Sequence, residues 1–238
     1  MRIDHMRITV IEHEADAPLG YFAAWLDLPC DIVRPYLGDP IPADAADGLI
    51  VLGGEMAAWE DEAYPWLPAT RDLIRRSVAA ETPVLGICLG AQLMTLACGG
   101  TVERGAAGLE IGACQVIMLP VGDPLLSGSG LAGTVPAAQF HRDAMTTLPE
   151  GATLLMTGER YLHQAYRLGA SAWAVQFHPE VTPEIFDRWI AASGQDQKLA
   201  AEVKAADTSL VATWRPVAEA FAAVVRTSGR SPGAFAAG

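Results

Sequence analysis

The sequence is short of positive charge. Its 16 Lys and Arg stand against 28 Asp and Glu, a formal net charge of −12. Contact with nucleic-acid phosphates needs clustered cations, so this balance argues against a nucleic-acid partner. It argues equally against docking on an anionic membrane surface. Long apolar runs are also missing: none approaches the roughly 20 residues that span a bilayer. The N-terminal stretch Met1-Arg2-Ile3-Asp4-His5-Met6-Arg7 lacks the apolar core of a secretory signal. Cysteine is scarce, and no two of Cys30, Cys88, Cys98 and Cys114 form a C-x-x-C pair. That excludes a zinc ribbon or a dithiol redox motif, and four cysteines in 238 residues do not make a disulfide scaffold. The expectation is a reduced, soluble, cytoplasmic protein.

What the sequence does contain is apolar material, 51% of residues against 18% charged, which excludes a disordered chain. Its 23 Gly and 16 Pro imply many turns, as in an alternating α/β fold. Arg7–Ile11 is a short β-branched run that predicts the first strand. Gly20–Leu28, with Tyr21, Phe22, Trp25 and Leu28 at helical spacing, predicts a helix. A second strand is expected in Asp31–Tyr36 and a loop over Pro35–Asp47. Gly48–Leu52 and Pro83–Ile87 are continuous apolar runs, as befits central parallel strands buried on both faces. Between them Trp66–Ala80 has helical periodicity, and Ala91–Ala97 is an apolar helix stopped by Gly99-Gly100. This order predicts a parallel sheet with right-handed crossovers.

From Gly112 onward, short strands are expected at Ala113–Leu119, Val135–Phe140, Thr153–Met156, Gln164–Leu168 and Trp173–Phe177. Thr182-Pro183 then reads as the cap and first residue of a helix. Lys198–Arg226 reads as amphipathic helix, broken near Thr208-Ser209 and bent near Pro216. One domain over residues 1–226 and a loose tail over residues 227–238 is the expected organisation.

The chemistry-bearing segment is Gly86-Ile87-Cys88-Leu89-Gly90-Ala91-Gln92, at a strand-to-helix junction. Its G-x-C-x-G spacing matches the nucleophile elbow of hydrolases, with a thiol in place of the hydroxyl. Such a turn crowds the nucleophile against positions two before and two after, where only Gly leaves room. The nucleophile is then forced into a strained backbone conformation, facing the positive end of the following helix, which favours thiolate. The alternative for Cys88 taken alone is a buried structural thiol. A thiol nucleophile needs a base, and the base needs an orienting group. Of the five histidines, His5 and His13 flank the first strand and read as surface residues. His178 stands at a strand end, two residues before Glu180, and Pro179 stiffens the link. By itself it reads as a solvent-facing residue before a turn.

Together, G-x-C-x-G-x-Q and Gln176-Phe177-His178-Pro179-Glu180 strongly resemble the class I glutamine amidotransferase signature. The resemblance implies a three-layer, flavodoxin-like α/β domain with a mainly parallel sheet, short antiparallel strands in its second half and a helical C-terminal extension. Carried over by position, Cys88 is the nucleophile, His178 the base and Glu180 its orienter. Gly53-Gly54 matches the family's glycine pair; Gly54 and Leu89 would supply the oxyanion-hole N–H groups. Gln92 matches a residue contacting the substrate glutamine, as Gly53 and the backbone at Arg142 and Asp143 would. Glu110-Ile111-Gly112, Tyr64-Pro65-Trp66-Leu67 and Gln139–Asp143 resemble the GMP-synthetase-like branch. Within Gln139–Asp143, His141 reads as a structural, hydrogen-bonded residue. Glu55 stands where the family usually has Pro, and Phe140 and Arg142 where the branch usually has Trp and Gly. Glu55 and Arg142 therefore add charge at the pocket mouth. Cys98 and Cys114 read as core packing.

The resemblance implies hydrolysis of a γ-glutamyl amide through a cysteine thioester, with no metal and no cofactor. Three readings share that framework. The first is an amidotransferase subunit passing ammonia to a separate synthase. The second is a γ-glutamyl peptide or amine hydrolase with water as acceptor. The third is a catalytically silent, homodimeric binding protein. No GxxxxGK[ST] loop for a nucleotide is present in the sequence.

Overall fold

The computed structural model describes residues 6–228. The first half alternates strand and helix: β1 (Ile8–Ile11), α1 (Phe22–Trp25), β2 (Cys30–Val33), β3 (Gly48–Val51), α2 (Leu67–Ala79), β4 (Val84–Ile87) and α3 (Leu89–Ala97). Then come β5 (Thr101–Arg104), β6 (Glu110–Met118), β7 (Thr134–His141), β8 (Asp143–Thr147), β9 (Thr153–Gly158), β10 (Ala165–Leu168) and β11 (Ala172–Val175). Two helices close the chain, α4 (Pro183–Ser193) and α5 (Lys198–Ser228).

Nine strands form one sheet in the order β2-β1-β3-β4-β11-β10-β9-β6-β7. The first five are parallel. Counting β11 as the fifth strand, they follow the doubly wound order 2-1-3-4-5 of flavodoxin-like sheets. The remaining pairings are antiparallel. Strands β5 and β8 form a separate antiparallel pair that the sequence reading did not anticipate.

The unbroken apolar runs are explained by burial on both faces. Along β3 and β4, Ile50, Leu85 and Ile87 join one core with α4 and α5, while Leu49, Val51 and Val84 join a second core with α2 and α3. β11 divides likewise: Trp173 and Val175 go to the first core, Ala172 and Ala174 to the second. No helix among the described residues is long and apolar enough to cross a membrane.

Several expectations change. The helix over Gly20–Leu28 shrinks to the single turn of α1. The expected break at Thr208-Ser209 is absent, and α5 runs continuously through it and through Pro216. Both hydroxyl residues lie mid-helix, where Ser209 donates back to the Ala206 carbonyl at 2.7 Å instead of ending the helix. Packing of Trp214, Val217, Ala218, Phe221 and Val225 into the core offsets the cost of Pro216. The helix includes Thr227 and Ser228; the rest of the expected tail lies outside the described residues, as does His5. Thr182 caps α4 as expected, its hydroxyl accepting from Ile185 N–H at 3.3 Å.

Candidate active site

Four parallel strands end on the same edge, and the residues following them meet there. His13 and Glu14 follow β1, Gly53 and Gly54 follow β3, Cys88 follows β4, and His178 and Glu180 follow β11. Ligands of doubly wound sheets bind at the carboxyl ends of the strands. A cleft of about 460 Å³ opens here, with Cys88, His178, Gly54 and Gln92 among its walls.

Cys88 has φ 50° and ψ −105°, a conformation that L-residues rarely adopt. The neighbours enforce it. A Cβ on Gly86 would stand 2.6 Å from the Gly90 carbonyl oxygen, and one on Gly90 would collide with the Val51 carbonyl. The elbow is thus wedged between its own helix and strand β3. The first intrahelical bond of α3 runs from Gln92 N–H to Cys88 C=O at 3.0 Å. The N–H groups of the preceding turn, Leu89 among them, have no partner within the helix and carry its positive dipole end. Gly54 packs against the Leu89 side chain. The Leu89 amide thus adjoins Cys88 in the elbow, and Gly54 stands beside the Leu89 side chain.

His178 is buried and its Nδ1 lies 2.8 Å from Glu180 Oε1. A Cβ on Gly53 would stand 2.9 Å from His178 Cε1 and 3.7 Å from Cys88 Cβ, so the glycine lets imidazole and thiol approach. Burial alone would lower the imidazole, but the charges of Glu180 and Cys88 outweigh it and push it up to about 10. The Glu180 carboxyl and the Cys88 sulfur beside the ring thus favour the imidazolium. Trp189 of α4 packs edge-on against the ring, 4.7 Å between centroids. Tyr21 N–H donates to the Glu180 carbonyl at 2.8 Å, tying the α1 segment to the orienter.

Gln92 is buried, and its Nε2 donates to the Asp143 carbonyl at 3.2 Å and to Gln176 Oε1 at 3.3 Å. Both amide hydrogens are thereby committed within the protein, leaving Oε1 for other partners. Arg142 is exposed at the cleft wall. Asp143 is buried, with its carboxylate 2.9 Å from Arg104; burial raises it above the ordinary carboxylate range. His141 is structural, as expected: Nδ1 faces the Asp143 carbonyl at 2.8 Å and Nε2 faces Glu110 at 2.9 Å. Glu55 lies at the cleft as the sequence implied, and its N–H donates to Glu14 at 3.3 Å. Burial raises Glu14, which also lies within electrostatic reach of His178.

His13 corrects the sequence reading. It is fully buried, not a surface residue. Trp66 Nε1–H donates to its Nδ1 at 3.1 Å, and its Cβ backs Gly54. Burial lowers it to about 3, so it is a neutral imidazole. Short β1 offers no period long enough to show which way a flanking His turns. Trp189 and Gln176 also reach His178 and Cys88, which the sequence does not predict: Gln176 lies within Gln176–Glu180, but its spacing assigns it no role. Cys98 sits at the edge of the second core, while Cys114 is half-buried on β6.

The family model for class-I glutamine amidotransferases matches residues 25–194. The chain is 29% identical over 170 residues to γ-glutamyl peptidase 5 of Arabidopsis thaliana, spanning 68% of this chain and 66% of the peptidase. It is 31% identical over 150 residues to the glutamine-hydrolyzing GMP synthase of Porphyromonas gingivalis, spanning 63% of this chain but 28% of the synthase. The crystal structure of a glutamine amidotransferase from Thermotoga maritima superposes with a TM-score of 0.81 at 28% identity, covering 92% of this chain and 98% of that one. With the elbow, the His–Glu pair and the sheet order all pointing the same way, the chain belongs to the class-I glutamine amidotransferase family.

Proposed function

We propose that this protein hydrolyses the γ-glutamyl amide of glutamine or of another γ-glutamyl small molecule through a thioester on Cys88. One observation carries the reading: a cysteine held at φ 50° at a helix N-terminus, beside a buried imidazole that a carboxylate holds at 2.8 Å. His178 takes the Cys88 proton, and the thiolate attacks the side-chain carbonyl carbon. The resulting oxyanion lies on the Gly54 and Leu89 N–H groups, each such donor contributing about 3–4 kcal/mol to the transition state. His178 then protonates the departing nitrogen as the C–N bond breaks. Water gives a proton to the same imidazole, attacks the thioester and releases glutamate and thiolate. Glu180 holds the ring throughout. Gly53, Gln92 and the backbone at Arg142 and Asp143 shape the glutamyl subsite.

The activity is assigned to a cytoplasmic enzyme. Likeness to the synthase supports transfer of the ammonia to a separate synthase subunit, and likeness to the peptidase supports release of a peptide or amine to water. Self-association as a homodimer is compatible with either. Glutamate release is measured across glutamine, γ-glutamyl dipeptides and γ-glutamyl amines. Slow glutamine hydrolysis that accelerates with a synthase assigns the first reading; full activity on a dipeptide alone assigns the second. Cys88→Ala is expected to abolish release in both cases. An unchanged rate in Cys88→Ala overturns the assignment and leaves a silent binding protein.

A further inference from the structure

We propose that Gln176 is a further catalytic residue: its side-chain amide donates a hydrogen bond to the Cys88 sulfur, in an orientation enforced by Gln92. The inference rests on the reading of Cys88 as nucleophile. In the parallel register of β4 and β11 the last pair is Ile87 with Val175, and Cys88 N–H donates to the Val175 carbonyl at 2.8 Å. The next residue on each strand is therefore Cys88 and Gln176. Gln176 is fully buried, and its Nε2 lies 3.7 Å from Cys88 Sγ.

The two ends of a glutamine amide have nearly the same shape, so chemistry must decide which end faces the sulfur. Gln92 decides it. A backbone carbonyl only accepts, so the group 3.2 Å from the Asp143 oxygen is the Gln92 NH₂. The same NH₂ lies 3.3 Å from the Gln176 side chain, which must then present its oxygen. The NH₂ of Gln176 is left facing Cys88. A flipped Gln176 would set donor against donor at Gln92 and a carbonyl oxygen against a sulfur anion. The chain Asp143 C=O, Gln92, Gln176, Cys88 thus has one consistent direction, anchored on the main chain. A donor to the sulfur stabilises its charged form.

The charged and titratable groups that share the cleft with Cys88 come from other segments: His178, with Glu180 bonded to it, after β11, Glu14 and Asp16 after β1, Glu55 and Glu60 after β3, Arg104 of β5, His141, Arg142 and Asp143 at the β7–β8 junction, and Arg188 of α4. Strands β4 and β11 and helix α3 contribute none. Substituting Gln176 or Gln92 therefore removes hydrogen bonds and leaves every one of these charges in place.

The test is the pH dependence of iodoacetamide alkylation at Cys88, read by mass spectrometry on its own peptide. Burial raises the Cys30, Cys98 and Cys114 thiols, Cys114 to about 11, and the peptide readout separates their reaction from that of Cys88. Relative to the parent, Gln176→Met is expected to move the alkylation midpoint upward by about 0.5–1 pH unit, the effect of one lost hydrogen bond. Gln92→Met leaves Gln176 in place but unlocks its orientation, and is expected to move the midpoint in the same direction by less. Unmoved midpoints in both overturn the proposal. Should Gln176→Met not fold, Gln92→Met decides alone, an unmoved midpoint being the refuting result. Alkylation needs no γ-glutamyl substrate, so the two readings fail separately. A parent inactive on every γ-glutamyl compound with shifted variant midpoints overturns the activity. An active parent with unshifted midpoints overturns only the hydrogen bond.

Discussion

His178 and His13 are both buried imidazoles, and their surroundings charge them in opposite senses. His178 is raised from its ordinary value to about 10, so it binds its proton more tightly folded than unfolded. Its contribution to stability is full below about pH 6.5 and is lost as pH rises through about 10. The melting-temperature gap between parent and His178→Gln is therefore expected to narrow from pH 7 to pH 10; a constant gap would refute the imidazolium. His13 is lowered to about 3, so its contribution is full above about pH 6.5 and is lost as pH falls toward 3. His13→Gln is expected to flatten the acid limb of the stability curve by one proton in urea melts between pH 6.5 and pH 4. A limb as steep as the parent's would show that His13 charges freely in the fold.

At the scale of elements, the elbow depends on how closely α3 approaches its neighbours. A methyl group on Gly90 would collide with the backbone of β3, which cannot move without disturbing both cores. Gly90→Ala is expected to cost at least about 1–3 kcal/mol by overpacking and to abolish turnover. Thermal melts and a glutamate-release assay check both effects; a stable, active variant would show that the junction is looser than its geometry implies. Helix α5 supports the site from the opposite face. Trp214 packs on Phe177, ring centroids 4.6 Å apart, next to His178, and Phe221 packs on Trp173 of β11. Phe221→Ala is expected to cost about 3–5 kcal/mol in chemical denaturation. A cost under about 1 kcal/mol would make α5 an accessory to the fold.

For the whole molecule, a net charge of −12 gives the carboxylate of a glutamyl substrate no long-range attraction. Binding must come from local groups. Charge at the cleft mouth was expected from Glu55 and Arg142; the cleft is lined as well by Arg104 and Arg188, and by Glu14, Asp16 and Glu60. Arg104 is paired with Asp143 and Arg188 stands 3.9 Å from Asp16, whereas Arg142 forms no ion pair with a described residue. On the proposed activity, Arg142→Ala is expected to raise KM by about 2–5-fold, the scale of an exposed charge contact, with kcat nearly unchanged. Steady-state kinetics on the best substrate decide it, and an unchanged KM would remove Arg142 from the glutamyl subsite.

The sequence by itself determined the features whose cause is local. Val84–Ile87 had to be a strand buried on both faces, because its run is apolar without alternation. Gly86 and Gly90 had to flank Cys88, because a tight strand-to-helix turn leaves no room for side chains. Thr182-Pro183 had to start a helix, because one caps and the other presets φ. Tertiary structure decided what depends on partners far along the chain. The β5–β8 pair forms between segments about 40 residues apart and has no short-range signature. Thr208-Ser209 stays helical because residues on either side of it are buried against the sheet. His13 turns inward because Trp66, 53 residues away, offers it a donor. Gln92 points its hydrogens away from the cleft because the Asp143 carbonyl and Gln176 arrive there from two other strands. Spacing in the chain fixes which residues stand at a junction. Only the packing of distant strands fixes which polar group each of them faces, because a hydrogen bond is set by the partner that burial brings into reach.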